Sequence, residues 1–318
     1  MRLSNDHVAA GERLMEQFTY QMGMEDPEDV RLDKWMSESL EALSRSFIQK
    51  CIKEGQVLVN GKPQKAGYRL KIDDEIEFGI PEASEPEIEA EDIPLDILYE
   101  DADLLIVNKP KNMVVHPAPG HYTGTLVNAI MFHCRGELSG INGVMRPGIV
   151  HRIDKDTTGS LIICKNDKAH NAVAMQLKEH SITRKYRAIV HGVLKQEEGT
   201  IDAPIGRDPS DRKRMAINVK NGKNAVTHYK VLQHFQNYTY IECQLETGRT
   251  HQIRVHMASI GHPLLGDMIY GCRKTPYHLV GQTLHAMVIG LIHPSTGEYL
   301  EVTAPLPDYF VKLLEILS

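Results

Sequence analysis

At 318 residues, 42% hydrophobic and 25% charged, the chain is too long for one small module and too ordinary in composition for a disordered or fibrous protein. No apolar run approaches the ~20 residues that cross a bilayer, and the N-terminus has neither the apolar core of a signal peptide nor the Arg-rich bias of a transit peptide. The formal net charge is −6, but residues 81–103 hold ten acidic side chains and no Lys or Arg; without them it would be +4, a balance that permits a nucleic-acid partner without indicating one.

Residues 1–28 fit no assignment. "RLDKWMSESL" reads as a first helix with Leu32, Trp35 and Met36 facing inward. "LSRSFIQKCIKEG" reads as a second, with Ser44 as N-cap, Phe47, Ile48, Cys51 and Ile52 on one face, and Gly55 as the stop. Arg31, Lys34, Arg45, Lys50 and Lys53 fall on the outer faces, where a solvated surface and an RNA-contacting one are both open. "QVLVNGKPQ" is a strand turning at Asn60-Gly61, the strongest short hairpin signal, and "YRLKIDDEIEF" alternates as further strand. The Pro/Glu/Ala-rich run 81–93 has the composition of a solvated linker. It separates a small unit at 29–80 from a larger one at 94–318.

In the larger unit "DLLIVNKPKNMVVHP" reads as strand, turn, strand. "GIVHRIDKDTTGSLIICKN" places a knot of charge between two apolar strand segments, Gly148–Val150 and Leu161–Cys164. Residues 168–180 suit a helix with Ala169, Ala172, Val173 and Leu177 on one side. "RKYRAIVHGVL", "NAVTHYKVLQHF" and "YTYIECQLE" read as strands, the last two joined near Gln236-Asn237. "THQIRVHMASIG" is a helix expected to be capped by Thr250 and ended by Gly261. "YLEVTAP" is a late strand and "DYFVKLLEIL" a closing helix. Short turns between successive strands predict an α+β fold: a mixed, largely antiparallel sheet with flanking helices, beside a small N-terminal α/β domain. Five cysteines (51, 134, 164, 243, 272) are odd in number, widely spaced and form no CxxC. That argues against a disulfide framework or a structural zinc site and suits a reducing, cytoplasmic setting. No coiled coil or long exposed apolar stripe points to an obligate assembly, which favours a monomer.

The charge knot "HRIDKDTTG" has rival readings. A plain hairpin turn accounts for Asp156 to Gly159 but not for His151, Arg152 and Asp154. A metal site lacks ligands at suitable spacing, and "THQIRVH" has no general-base Glu of the HExxH kind. A Ser-His-Asp triad has no GxSxG to support it. An aspartate, a tyrosine and an arginine from three apolar elements could share one pocket. A carboxylate there needs a cationic partner, which Arg254 offers.

Set together, "HRIDKDTTG", "KYRAIVHG" and "GRTHQIRVHMASIGHPLLGD" resemble the three signature stretches of the RluA-type pseudouridine synthases. Ile153 stands where the usual first motif HRLDxxTSG has Leu, and Thr158 where it has Ser. "VNKP" at 107–110, "HP" at 116–117 and "LHA" at 284–286 follow in the family's order. Residues 29–80 resemble the S-four-type RNA-binding domain, through "RLDKW", "LSRS" and "IKEGQVLVNGK". Domain order and length look most like the RluD-type branch, which acts on large-subunit ribosomal RNA; a transfer-RNA-directed synthase and a non-catalytic RNA-binding or ribosome-assembly factor are the alternatives. The resemblance implies isomerisation of uridine within RNA without cofactor or metal. It implies Asp154 as the essential carboxylate, Arg254 as its salt-bridge partner, and Tyr186 as the residue packing on the target base. It also implies Arg152 as the residue filling the gap left by an everted base and Leu284 as an apolar wall of the uracil pocket. His151 reads as a structural, hydrogen-bonded residue. Arg249 and His251 could be RNA contacts or scaffold. Arg31, Lys34, Arg45, Lys50 and Lys53 would rest on phosphates, and the basic loop 207–223 would face RNA.

Overall fold

Two short helices with one apolar stripe each must bury those stripes against something, and in the N-terminal part that partner is a small sheet. The computed structural model describes residues 15–40, 44–81, 88–118, 121–143, 146–211, 214–272 and 276–318. The chain divides into two compact units, Met1–Pro86 and Glu87–Ser318. Residues 1–14, the acidic stretch 82–87, and Arg212 and Lys213 of the basic loop lie outside the described residues.

In the first unit, β1 (Met15–Gln21), α1 (Leu32–Ser39), α2 (Arg45–Lys53), β2 (Val57–Val59), β3 (Lys62–Pro63) and β4 (Glu75–Pro81) follow in order. The strands pair antiparallel in the order β1-β4-β2-β3. Leu32, Trp35, Met36, Ile48, Cys51 and Ile52 of the helices are buried with Val57, Val59, Ile76 and Phe78 of the sheet. Ser44 caps α2 by accepting from Phe47 N. Gly55, at φ 77°, ends it as Gly55 N and Gln56 N return to Ile52 O and Cys51 O. Asn60 and Gly61 (φ 53° and 67°) make the tight turn between β2 and β3. The stretch without an assignment in the sequence contains β1, which pairs with β4 from Met15↔Pro81 to Gln21↔Glu75.

The basic side chains of this unit are more committed than an open phosphate-binding face would have them. Asp33 is fully buried and accepts from Arg31 Nε (3.0 Å) and Nη2, from Arg45 Nε and Nη2 (3.0 Å), and from Gln49 Nε2 at 2.6 Å. Lys34 and Lys50 stand 3.7 and 3.8 Å from Glu38 and Glu54, one turn on; Lys53 is exposed.

The second unit comprises β5 (Ile97–Glu100), β6 (Leu104–Lys109), α3 (Leu126–Cys134), β7 (Thr158–Cys164), α4 (Asp167–Lys178), β8 (Thr183–His191) and β9 (Glu198–Asp202). There follow β10 (Ile205–Arg207), β11 (Met215–Ile217), β12 (Val226–His234), β13 (Tyr238–Leu245), α5 (Gln252–Ser259), β14 (Leu284–Ile292), β15 (Tyr299–Thr303) and α6 (Asp308–Leu317). Nine strands form one sheet in the order β5-β6-β7-β14-β8-β13-β12-β9, with β15 also on β14. Every pairing is antiparallel except β7 with β14. The expected α+β fold with a mixed, largely antiparallel sheet is the observed one. Both faces of the central strands are covered. Leu161 and Ile163 of β7 join a core with Val127 and Ile130 of α3 and Ile253 and Met257 of α5. Ile162 and Cys164 join another with Ala169 and Val173 of α4. That double burial explains why "LIIC", residues 161–164, reads as an unbroken apolar run instead of alternating.

At the single parallel joint the backbones come very close. Gly159 has φ 107°, and a Cβ there would lie 2.3 Å from Ala286 O. Thr158 Oγ1 meets His285 Nδ1 at 2.8 Å, and Ser160 Oγ donates to Ala286 O at 3.0 Å.

Three local expectations differ from what is observed. Val114 and Val115 form no second strand; their carbonyls accept from Leu126 N and Val127 N and so cover the first turn of α3. Gly148–Val150 makes only one bridge, Ile149 to Ile163. From Ile88 onward the acidic run is packed: Ile88 is buried, Glu89 O accepts from Asn128 Nδ2, and the Glu91 carboxylate accepts from Gly124 N.

The Arg31 bond, then those of Gln49 and Arg45, hold the Asp33 carboxyl well below the usual carboxylate range against its burial. A folded-state pKa below the unfolded one contributes stability at neutral pH that disappears as pH falls below about 4. Asp33→Asn should therefore cost roughly 1–3 kcal/mol at pH 7 and remove that acid dependence. Hydrogen exchange of residues 32–59 in the full chain, followed from pH 7 to pH 3, measures both.

Candidate active site

The charge knot departs from the sheet because one half-buried side chain pins its start. His151 Nε2 accepts from Ile162 N of β7 at 2.9 Å, and burial, then Arg184, pushes its pKa down to about 3. His151 is thus a neutral structural acceptor, in keeping with its reading from sequence. Beyond it Ile153 is buried, Arg152 is exposed, and Thr157 N returns to Asp154 O at 3.0 Å in a turn. Lys109, fully buried at the end of β6, holds this turn from behind. Its Nζ donates to the carbonyls of Pro110, Met113 and Lys155 at 2.8, 2.9 and 3.0 Å. Burial lowers its pKa to about 7, against the pull of Asp156 and Asp154.

Asp154 is met by α5. Arg254 Nη1 donates to Asp154 Oδ2 at 2.9 Å, while Arg254 Nε and Nη2 grip Asp267 at 2.6 and 2.9 Å. Asp267 is itself buried and accepts from Ile269 N and Tyr270 N. Burial by itself would lower the Arg254 pKa and raise that of Asp267. Their mutual contact reverses both, so Arg254 is raised and Asp267 lowered.

His251 stands at the start of α5 with φ 57°, uncommon for a residue with a side chain. The helix is not capped by Thr250, because the turn into α5 is set elsewhere: Gln252 Oε1 accepts from Arg249 N and Thr247 Oγ1 at 2.9 and 2.8 Å. Burial lowers the His251 pKa. Tyr270 Oη accepts from Met215 N and is hydrogen-bonded to His251 Nδ1 at 2.8 Å. The other ring nitrogen, Nε2, faces Asp154 Oδ1 at 3.8 Å. Met215 lies on β11, so this phenol ties the basic β10–β11 hairpin to the same turn; Arg214 also stacks on the Tyr270 ring at 5.4 Å.

Asp154, Arg254, Tyr186, Leu284, Arg152 and Arg249 all line one open cleft of about 340 Å³. Tyr186 comes from β8 and Leu284 from the first residue of β14; both are largely buried, and burial raises the Tyr186 pKa. Arg249 Nε donates to Asn224 O at 2.9 Å, so it is partly scaffold. Arg31, Lys34, Arg45, Lys50 and Lys53 belong to the other unit. Among the described residues no group of three or more His, Cys, Asp or Glu side chains could hold a metal ion. Asp267, Tyr270, Lys109 and Arg184 were not singled out in the sequence. The sequence did carry signals for two of them: an acid closing "GHPLLGD" and a lysine ending the apolar run "LLIVNK".

Residues 103–259 match the RNA pseudouridylate synthase family, and residues 30–76 match the S4 domain. An uncharacterized RNA pseudouridine synthase of Bacillus subtilis, YlyB, is 55% identical over 92% of this chain and 96% of its own length. The chain belongs to the RNA pseudouridine synthase family. The ribosomal large subunit pseudouridine synthase D of Zymomonas mobilis is 46% identical over 90% of this synthase and 93% of its own length. A solved human structure, RNA Pseudouridylate Synthase Domain Containing 4, superposes with a TM-score of 0.56 at 28% identity, over 70% of this chain and 92% of that one.

In this synthase the position of Arg254 depends on Asp267, since two of its three ion-pair bonds go there. Asp267→Asn should reduce single-turnover tritium release from uracil-labelled RNA by roughly 10²-fold, the scale of a displacement of about 1 Å in a site. RNA affinity should stay within about two-fold of wild type, read from filter binding beside the rate.

Proposed function

We propose that the cleft isomerises a uridine everted from structured RNA, with Asp154 as the reacting carboxylate. The observation that supports this most directly is the Arg254 bridge, which holds one carboxylate oxygen while the other borders an open pocket with an aromatic and an apolar wall. A stacked uridine must first leave its neighbours, at a few kcal/mol; exposed Arg152, at the mouth of the cleft, is suited to take its place in the stack. Tyr186 and Leu284 then pack on the base. The C1′–N1 bond breaks with its electron pair leaving on uracil. Asp154 either forms an ester at C1′ or takes a sugar proton. The base turns and C5 forms the new bond to C1′ as the Asp154 carboxylate leaves it or the sugar regains its proton; the C5 proton passes to solvent while N1 takes one up, which balances the reaction as an isomerisation.

The substrate we infer is large-subunit ribosomal RNA. The Zymomonas relative, at 46% identity, carries that assignment in its name, and so does the 43% identical synthase D of Pasteurella multocida. With that substrate we infer a cytoplasmic enzyme. The N-terminal unit, matching the S4 domain, would add sequence-tolerant phosphate contacts. Of its basic residues, Lys34, Lys50 and Lys53 are the more available, because Arg31 and Arg45 are engaged with Asp33.

Asp154→Asn should abolish tritium release while RNA binding persists. Its thermal stability should fall by no more than about 1 kcal/mol, since Arg254 keeps its pair with Asp267 and Asp154 is partly exposed. Undiminished release in a folded variant would remove Asp154 from the reaction. Replacing Lys34, Lys50 and Lys53 together by Gln should weaken RNA binding and flatten its log–log salt slope by roughly two, with the saturating rate intact. An unaltered slope, from titrations at several salt concentrations, would show that these lysines touch no phosphate.

A further inference from the structure

Two arginines are buried among the described residues, Arg184 (7% exposed) and Arg254 (4%), and both line the cleft. Their surroundings are opposite. Arg254 faces two carboxylates. Arg184, at the start of β8, donates Nη2 to Glu246 O at 2.8 Å, and its buried Nε has no hydrogen-bond partner. The nearby acids are turned elsewhere: the Glu246 carboxylate is on His228 at 2.6 Å, Glu242 is on Arg187, and Asp154 is on Arg254. The ionisable groups that act on Arg184 are Tyr186 and Arg249, neither an anion at neutral pH. The chain also makes room for this guanidinium, since a Cβ on Gly248 would come within 2.7 Å of Arg184 Nη1.

A buried cation without a counter-ion is costly, and a protein that keeps one in its cleft gains from an anion arriving there. Resting on the pseudouridine synthase reading of the cleft, we propose that Arg184 is an oxyanion-binding residue of the substrate complex, completed by an anionic oxygen of the RNA. Two oxygens have that chemistry: a backbone phosphate beside the everted uridine, and the carbonyl oxygen of uracil that becomes negative when the glycosidic bond breaks. Either would accept from the Arg184 guanidinium, which lines the cleft together with Tyr186.

The test compares Arg184→Met, Arg184→Lys and Gly248→Ala with the wild-type full chain on one structured RNA. It measures RNA affinity as a function of salt, the single-turnover rate at saturating RNA, and melting temperature. A phosphate ligand gives at least ten-fold weaker binding in Arg184→Met, a salt slope smaller by roughly one contact, and an unchanged saturating rate. A uracil ligand gives binding within two-fold and a saturating rate at least 100-fold lower. In both cases Arg184→Lys restores part of the loss, and Gly248→Ala reproduces a milder form of it by displacing the guanidinium. Folded Met and Ala variants with both constants within two-fold of wild type overturn the proposal. Should Arg184→Met fail to fold, Gly248→Ala decides by the same criteria. A wild-type chain that releases no tritium would instead sink the synthase reading, leaving the affinity measurements to judge Arg184.

Discussion

One guanidinium shared between two carboxylates organises the second unit. Arg254 takes two of its bonds to Asp267 and one to Asp154, so the strong, two-pronged contact is made with the acid farther from the open cleft. That division matters energetically. Burying an isolated charge is expensive, and a pair pinned by good geometry and extra backbone donors is how the expense is met. Asp267 supplies the geometry, held by the amides of Ile269 and Tyr270. Asp154 thereby receives a cation at 2.9 Å while remaining open to solvent on its other side.

The turn that carries Asp154 is held from several directions by groups other than Arg254. His151 ties its beginning to β7, the Lys109 ammonium gathers three carbonyls behind it, and the Gln282 amide donates to Thr157 at its end. The carboxylate proposed to react needs such a scaffold, because errors of about 1 Å in placement are costly to rate. The Tyr270 phenol adds a link from this scaffold to the β10–β11 hairpin, just beyond which Lys220 and Lys223 are exposed.

Local chemistry was legible wherever it decides structure on its own. Ser44, Gly55, Asn60-Gly61 and Gly261 punctuate the chain as their side chains or their lack of one dictate. The stripes of α1, α2 and α4 could be read by eye. What escaped were features decided by distant partners. β1 exists because β4, more than fifty residues on, supplies its hydrogen bonds. Val114 and Val115 have strand propensity, yet their carbonyls serve α3. Thr250 has the right chemistry for a cap but loses the position to His251. For the cleft, the motifs brought Asp154, Tyr186, Arg254, Arg152 and Leu284 to notice, and all five line it. Asp267 and Arg184 went unnoticed because burial, not residue type, gives each its meaning.

The parallel joint between β7 and β14 has a consequence for the order of events in biosynthesis. β14 lies between β7 and β8 in the sheet although it follows both by about a hundred residues. The earlier strands therefore cannot close around their neighbours while the nascent chain still lacks residues 284–292. Long-range closure of this kind is slow and comes late. Leu284, first residue of that late strand, is also a wall of the cleft. The synthase is thus assembled in the wrong order to act on RNA during its own translation, and its cleft matures only once the inserted strand has emerged.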